Sequence, residues 1–494
     1  MRASGILMHI TSLPGDYGVG TLGASAYAFA DFLSDGGQSY WQLLPMNPTG
    51  FGDSPYQSCS AFAGNHYFID PVLLVNAGLL LPEEAEALRC DAPPDRVDYG
   101  RLYENRLPTL RKAFSRFTED GALDAFVGKN AHWLPDYALY MALKDRHGGA
   151  PWYQWEEPVK RRLPDALWDA RRTLREDIRF YCFTQYLFYQ QWQDLRDYAH
   201  GKGIRFIGDV PIYVPLDSVE VWCSPELFQL DRDLCPTAVA GCPPDAFSEE
   251  GQLWGNPLYR WDVMKKDGYG WWLRRLSAAG EMFDTVRLDH FRGFEAYWSV
   301  PCGGETAKNG SWVKGPGMDF FRALKKQLPH LQLIAEDLGY LTEDVLQLRD
   351  DTGLPGMRVL GFAFDSREPS LYLPHTYIKN TVCYTGTHDN MTARQWFDTA
   401  PEDSVSYARE YMGLSEQEGD VRGMIRTAMS SISDLCVIPL QDWLELGGEA
   451  RMNFPGTTGN NWVWRVLPGG CTEALSKTIY KVTGLYGRLG NKEK

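Results

Sequence analysis

Thr285-Val286-Arg287-Leu288-Asp289-His290-Phe291 runs from a short apolar stretch into an acid, a histidine and an aromatic ring. Two other stretches share its form: Leu333-Ile334-Ala335-Glu336-Asp337-Leu338-Gly339 and Cys383-Tyr384-Thr385-Gly386-Thr387-His388-Asp389-Asn390. Each reads as a strand that ends on an acidic residue. In a parallel barrel the C-terminal ends of all strands open on one face, where the active site is built. Acids at three such ends would converge, although a hundred residues separate Asp289 from Asp389.

Outward from these stretches, short apolar segments alternate with helical ones, the pattern of βα units. Gly5–Ile10, Tyr40–Pro45, Ile204–Val210, Thr285–His290, Leu331–Glu336, Met357–Phe362, Val382–Thr387 and Cys436–Leu440 are the candidate strands. They number eight, as a closed (β/α)8 TIM barrel requires, so the expected fold is α/β with one catalytic barrel over residues 1–494. Residues 71–200 read as helices alone. Leu107, Leu110, Phe114 and Phe117 recur at helical spacing, as do Tyr181, Phe188, Trp192 and Leu195. This stretch is expected to be a helical subdomain inserted between the second and third strands. Residues 216–270 are rich in Pro, Asp, Gly and Trp and have little periodicity. They are expected to form a long irregular active-site loop on the C-terminal face.

The formal charge of −15 excludes the basic footprint that nucleic-acid binding needs. With 17 Trp and 26 Tyr, the chain has more flat aromatic rings than an aliphatic core requires, and such rings stack on sugars. Its ten cysteines, Cys90 among them, form no CxxC pair, which argues against zinc and redox chemistry and fits a reducing compartment. The apolar run at Ile6–Ile10 is too short for a signal peptide and no run approaches a membrane span. A cytoplasmic protein is expected.

Converging carboxylates without a metal motif suggest glycosidic chemistry. Such a reaction needs one carboxylic acid to protonate the leaving oxygen and one carboxylate to attack or stabilise the anomeric carbon. The two require unlike surroundings. Arg287 lies two residues before Asp289 on the same strand face, where a guanidinium favours the ionised carboxylate. Asp289 therefore reads as the nucleophile, with a structural ion pair as the alternative. Glu336 follows Leu333-Ile334-Ala335 with no basic neighbour, and burial there would keep it protonated as a general acid. Asp337 competes for that role, and strand parity does not decide between them. Asp389 could bind sugar hydroxyls or cap the helix that follows. His290 and His388 adjoin two of these acids and are natural donors to hydroxyls.

These residues sit in a larger set of motifs. Gly52-Asp53-Ser54-Pro55-Tyr56-Gln57 and Gly208-Asp209-Val210-Pro211-Ile212-Tyr213-Val214 come first. Phe247-Ser248 follows, leading into Gly251-Gln252-Leu253-Trp254-Gly255-Asn256-Pro257. Beyond the three acidic stretches lie Arg451-Met452-Asn453-Phe454-Pro455-Gly456 and Asn461-Trp462-Val463-Trp464-Arg465. In this order they resemble the amylomaltases, the 4-α-glucanotransferases of the α-amylase superfamily, over nearly the whole chain. The resemblance implies Asp289 as nucleophile, Glu336 rather than Asp337 as acid/base, and Asp389 as transition-state stabiliser. It implies a sugar site lined by Arg287, His290 and His388, with Asp209 anchoring a neighbouring strand end. Tyr56 would stack on a sugar, Trp254 would cover the glucan, and Asp365 and Asn461 would also bind substrate. The implied reaction is a retaining double displacement that moves α-1,4-glucan segments between maltooligosaccharides, with no metal or organic cofactor and no membrane or nucleic-acid partner. An α-glucan hydrolase would use the same residues with water as acceptor. A non-catalytic barrel should have lost one of the three acids, and all are present.

Overall fold

The structure is a computed structural model that describes residues 2–89, 93–118, 121–244, 249–339, 341–365 and 370–490. Cys90 and the Phe247-Ser248 motif lie outside the described residues. Among the described residues there are twelve strands: β1 (Ala3–Leu7), β2 (Tyr40–Gln42), β3 (Arg205–Val210), β4 (Ala238–Cys242), β5 (Gln252–Pro257), β6 (Thr285–Leu288), β7 (Ala296–Pro301), β8 (Ser311–Lys314), β9 (Leu333–Ala335), β10 (Gly356–Val359), β11 (Thr381–Tyr384) and β12 (Leu435–Pro439).

Eight of them close a parallel barrel in the order β1-β12-β11-β10-β9-β6-β3-β2. Every barrel strand overlaps one of the eight segments read from the sequence, and most stop short at the carboxyl end. The apolar residues that seemed to prolong β1 and β10 instead wind into 3-10 turns at Ile10–Ser12 and Leu360–Phe362. Apolar content alone cannot mark a strand end, because residues in the turns above the barrel are buried as well. Closure comes from β12, which pairs with β1 on one side (Gly5 opposite Val437) and β11 on the other (Cys383 opposite Cys436).

Between β2 and β3, every regular element from residue 71 to 201 in the described chain is helical. The 27-residue helix Arg175–Gly201 is the long member. Its inner face sets Trp192 edge-on against Phe206 of β3, ring centres 4.8 Å apart. Its other side receives Phe114 and Phe117, which meet Phe183 at 5.3 and 4.9 Å. The helical spacing of these rings thus tied this region to the barrel through one continuous apolar core.

The stretch 216–270 is not irregular. It carries helices Val219–Cys223 and Trp261–Lys266 and both β4 and β5. These two strands join β7 and β8 in an antiparallel sheet, order β5-β4-β7-β8. Strand β4 is short, bulged between Val239 and Gly241, and paired with a strand more than fifty residues later, so its own sequence has little regular signal. No helix of the described residues is long and apolar enough to cross a membrane.

Candidate active site

Asp209 lies near the end of β3, with Arg287 directly opposite on β6. The Asp209 side chain has no solvent exposure, and both its oxygens accept from Arg287 Nη1, at 2.8 and 2.7 Å. Tyr56 donates its hydroxyl to the same carboxylate at 2.7 Å. A buried pair of this kind holds its geometry tightly, because freeing either charge inside the protein is costly. Arg287 is thereby fixed at the floor of the barrel mouth.

Asp289 is one residue past β6, with Oδ1 3.2 Å from Arg287 Nη1. Because Asp209 already engages that guanidinium, Asp289 shares the cation. Burial raises the Asp289 carboxyl, Arg287 pulls it down, and nearby Asp209 and Asp389 raise it again, leaving it at about 6. This is higher than the adjacent arginine alone suggests, since one cation serves two acids.

Glu336 is one residue past β9, the neighbour of β6. Its Oε2 accepts from the His290 backbone N–H at 2.6 Å and its Oε1 from Leu338 N–H at 3.0 Å. Those bonds and Arg287 favour the anion, yet burial outweighs them and, with Asp289 opposed, pushes the carboxyl up to about 8. Asp337 points elsewhere. With no solvent exposure, it accepts from Arg349 Nη1 at 2.7 Å and Met357 N–H at 2.6 Å behind the barrel wall. All its capacity serves structure.

Asp389 is five residues beyond β11, on the loop rather than at the strand end. It does not cap the next helix, whose N-cap is Thr392, with Oγ1 accepting from Gln395 N–H. Asn453 Nδ2 donates to Asp389 Oδ1 at 2.7 Å, and His388 Nε2 lies 3.3 Å from Oδ2. Burial opposes the charge, but His388, Asn453 and Arg287 outweigh it and hold this carboxyl well below the ordinary range. Below the loop, buried Asp442 accepts from Thr385 Oγ1 at 2.5 Å and Ala393 N–H at 2.7 Å, pinning both ends.

His290 adopts a left-handed backbone (φ 50°), a costly conformation for a residue with a side chain. It directs the backbone N–H at Glu336 while the ring meets Trp254 edge-on at 4.8 Å. Burial, with Arg292 nearby, lowers the imidazole to about 3, so it is neutral, and Nε2 has no protein partner. His388 lies under Tyr56, the rings stacked 5.1 Å apart, and Trp462 flanks both.

Tyr56, Asp209, Trp254, Arg287, Asp289, His290, Glu336, His388 and Asp389 are therefore linked by contact or charge at one barrel mouth. Asp365 is half-buried just beyond the turn that follows β10. Asn461 differs: its carboxamide bonds Thr457 O, Thr457 Oγ1 and Phe454 N–H, so it braces the 454–461 loop. Asn453 and Arg451, whose Nη2 donates to Asp389 O at 2.8 Å, received no role from the sequence despite lying in a quoted motif. Arg-x-Asn after a barrel strand carried the signal, but their partner is over sixty residues away. Among the described residues, no group of three or more His, Cys, Asp or Glu is arranged for a metal.

The model of the 4-alpha-glucanotransferase family matches residues 8–469. A 4-alpha-glucanotransferase of Thermus thermophilus is 49% identical over 95% of each chain. One from Clostridium butyricum is 46% identical over 97% of this chain and 100% of its own. The solved amylomaltase of Streptococcus agalactiae, in complex with acarbose, superposes with a TM-score of 0.97 at 43% identity, over 99% of this chain and 100% of that one. The chain belongs to the 4-alpha-glucanotransferase family.

Proposed function

We propose that this enzyme moves α-1,4-glucan segments from a donor to the 4-hydroxyl of an acceptor glucan or glucose by a retaining double displacement. One observation carries the reading: two carboxyls on adjacent strand ends, linked through one backbone N–H, have different proton affinities. Asp289, at about 6, is largely ionised near neutral pH, whereas Glu336, at about 8, largely keeps its proton. A close pair suits retention, in which the anion attacks carbon directly instead of through an intervening water.

In the first step Asp289 attacks the anomeric carbon while Glu336 gives its proton to the departing glycosidic oxygen. The donor's distal piece leaves with a free reducing end. Glu336, now anionic, takes the proton of an incoming 4-hydroxyl, whose oxygen displaces Asp289 from the same carbon. Asp389, permanently charged, accepts from hydroxyls of the reacting sugar, bonds that tighten as positive charge develops. The neutral His290 ring offers its unpartnered Nε2, with His388 opposite and Asp365 further out. Trp254 covers His290 and restricts water, which favours a sugar acceptor over hydrolysis. Relatives matched along their full length carry the transferase name, which likewise supports transfer. The acarbose bound by the Streptococcus agalactiae enzyme fits an α-glucan ligand.

Incubation with pure maltotriose tests this. Glucose together with maltooligosaccharides longer than the substrate is the expected outcome. Shorter sugars alone, with a matching rise in reducing ends, would overturn transfer.

A further inference from the structure

The second sheet holds an open cavity of about 450 Å³, separate from the carboxylate cluster. Its size falls within the roughly 300–1,000 Å³ of small-molecule sites. Tyr259, Trp261 and Tyr297 line its inner side, and Arg260, Asp262 and Gln229 supply polar groups. The Arg260 and Asp262 side chains are 46% and 69% exposed, and 4.0 Å separates their charged atoms. That is too far for a hydrogen bond, so each keeps its capacity for a ligand. Gln229 Nε2 donates to the Tyr297 hydroxyl at 3.1 Å, which leaves the phenolic proton free.

The charge balance selects among ligands. Lys314, also on the lining, is already paired with Glu295 and Asp344. The remaining cation and anion face each other, a poor environment for a phosphate or a metal ion alike. An adjacent donor fork and acceptor carboxylate, beside aromatic rings, match the vicinal hydroxyls and apolar C–H face of a neutral sugar. Strand β5 connects this cavity to the reaction centre, since Trp254 lies on the His290 ring and Tyr259 follows five residues later. At about 3.3 Å per residue, that is at most ~17 Å of chain.

We propose that this cavity is an accessory site for α-glucan chains, with Arg260 and Asp262 as its hydroxyl-binding pair. The assignment rests on the glucan-transfer reading. It implies that a long glucan engages the enzyme at two places, whereas a short one reaches only the carboxylates.

The test uses the full-length chain carrying Asp289→Ala, so that no turnover occurs, and titrates it calorimetrically with maltoheptaose. Adding Arg260→Ala and Asp262→Ala is expected to lower the stoichiometry by one site. In the active chain, the same pair should raise KM for amylose about three- to tenfold while leaving kcat/KM for maltotriose within about twofold. Unchanged stoichiometry, or equal losses on amylose and maltotriose, would overturn the assignment. A parent chain inert towards maltotriose would instead overturn the glucan reading, and the accessory site with it.

Discussion

The floor and the rim of the barrel mouth treat their acids in opposite ways. On the floor, Asp289 and Glu336 follow strand ends directly, compete for a single arginine and are raised to about 6 and 8. On the rim, Asp389 sits on a loop, receives His388 and Asn453 for itself, and is driven far down. The floor thus provides groups that can exchange bonds or protons near neutral pH. The rim provides a charge that does not change. Burial is common to all three acids, so what separates them is how many donors each must share.

The largest effect should come from the floor. Asp289→Ala is expected to lower maltotriose disproportionation by about 10⁴-fold or more, with the circular dichroism spectrum unchanged. Activity retained within about tenfold would remove Asp289 from the nucleophile's place. Next, Glu336→Gln should cost about 10³-fold in kcat yet raise Tm, because it replaces a carboxyl that burial disfavours in its charged form. Its neighbour gives the control. Asp337→Asn breaks a buried arginine pair and should cost about 3–5 kcal/mol of stability in urea denaturation, while the folded fraction keeps near-normal kcat. If Asp337→Asn abolished turnover without loss of stability, the division between these adjacent acids would be wrong.

The rim should yield less. Asn453→Ala removes one of the donors to Asp389 and should reduce kcat by about ten- to a hundredfold with little change in Tm. No change in kcat would show that the loop holds Asp389 without it. The smallest effect is pH dependence. The kcat/KM profile should rise through about pH 6 as Asp289 ionises and fall above about pH 8 as Glu336 loses its proton. The linked stability has the opposite character. With a folded value near 8 against an unfolded one of 4.5, Glu336 binds its proton more tightly in the native state. Its stabilising contribution is complete below about pH 4.5 and is lost as pH rises towards 8. Glu336→Gln should flatten that slope in thermal melts, and an unaltered slope would argue against the raised value.

The floor was legible in the sequence because barrel strands concentrate their signal locally. Asp289 and Arg287 share a strand face, and Leu333-Ile334-Ala335 announces the burial of Glu336. What could not be read there was sharing: nothing near residue 287 shows that Asp209, almost eighty residues earlier, engages the same guanidinium. The choice between Glu336 and Asp337 was closed to local reasoning for a similar reason, since Arg349 and Met357 N–H arrive from the next helix and strand. The rim was harder still. Asp389 could as well have been a helix cap until Thr392 was seen in that place and Asn453 on its carboxylate. The second sheet escaped because β4 and β8 owe their extended form to partners rather than to an apolar alternation of their own.

The order in which the chain leaves the ribosome follows from how the barrel closes. β12 must reach both β1 and β11, so the ring stays open until residue 439 is available. Asp442 then pins the Asp389 loop, and Arg451 and Asn453 emerge after that. The proposed nucleophile and acid are synthesised long before, with no completed wall around them. Since folding during synthesis proceeds from the N-terminal side, catalysis is among the last properties the nascent chain acquires, and a prematurely terminated product lacking β12 would be inert rather than indiscriminately active.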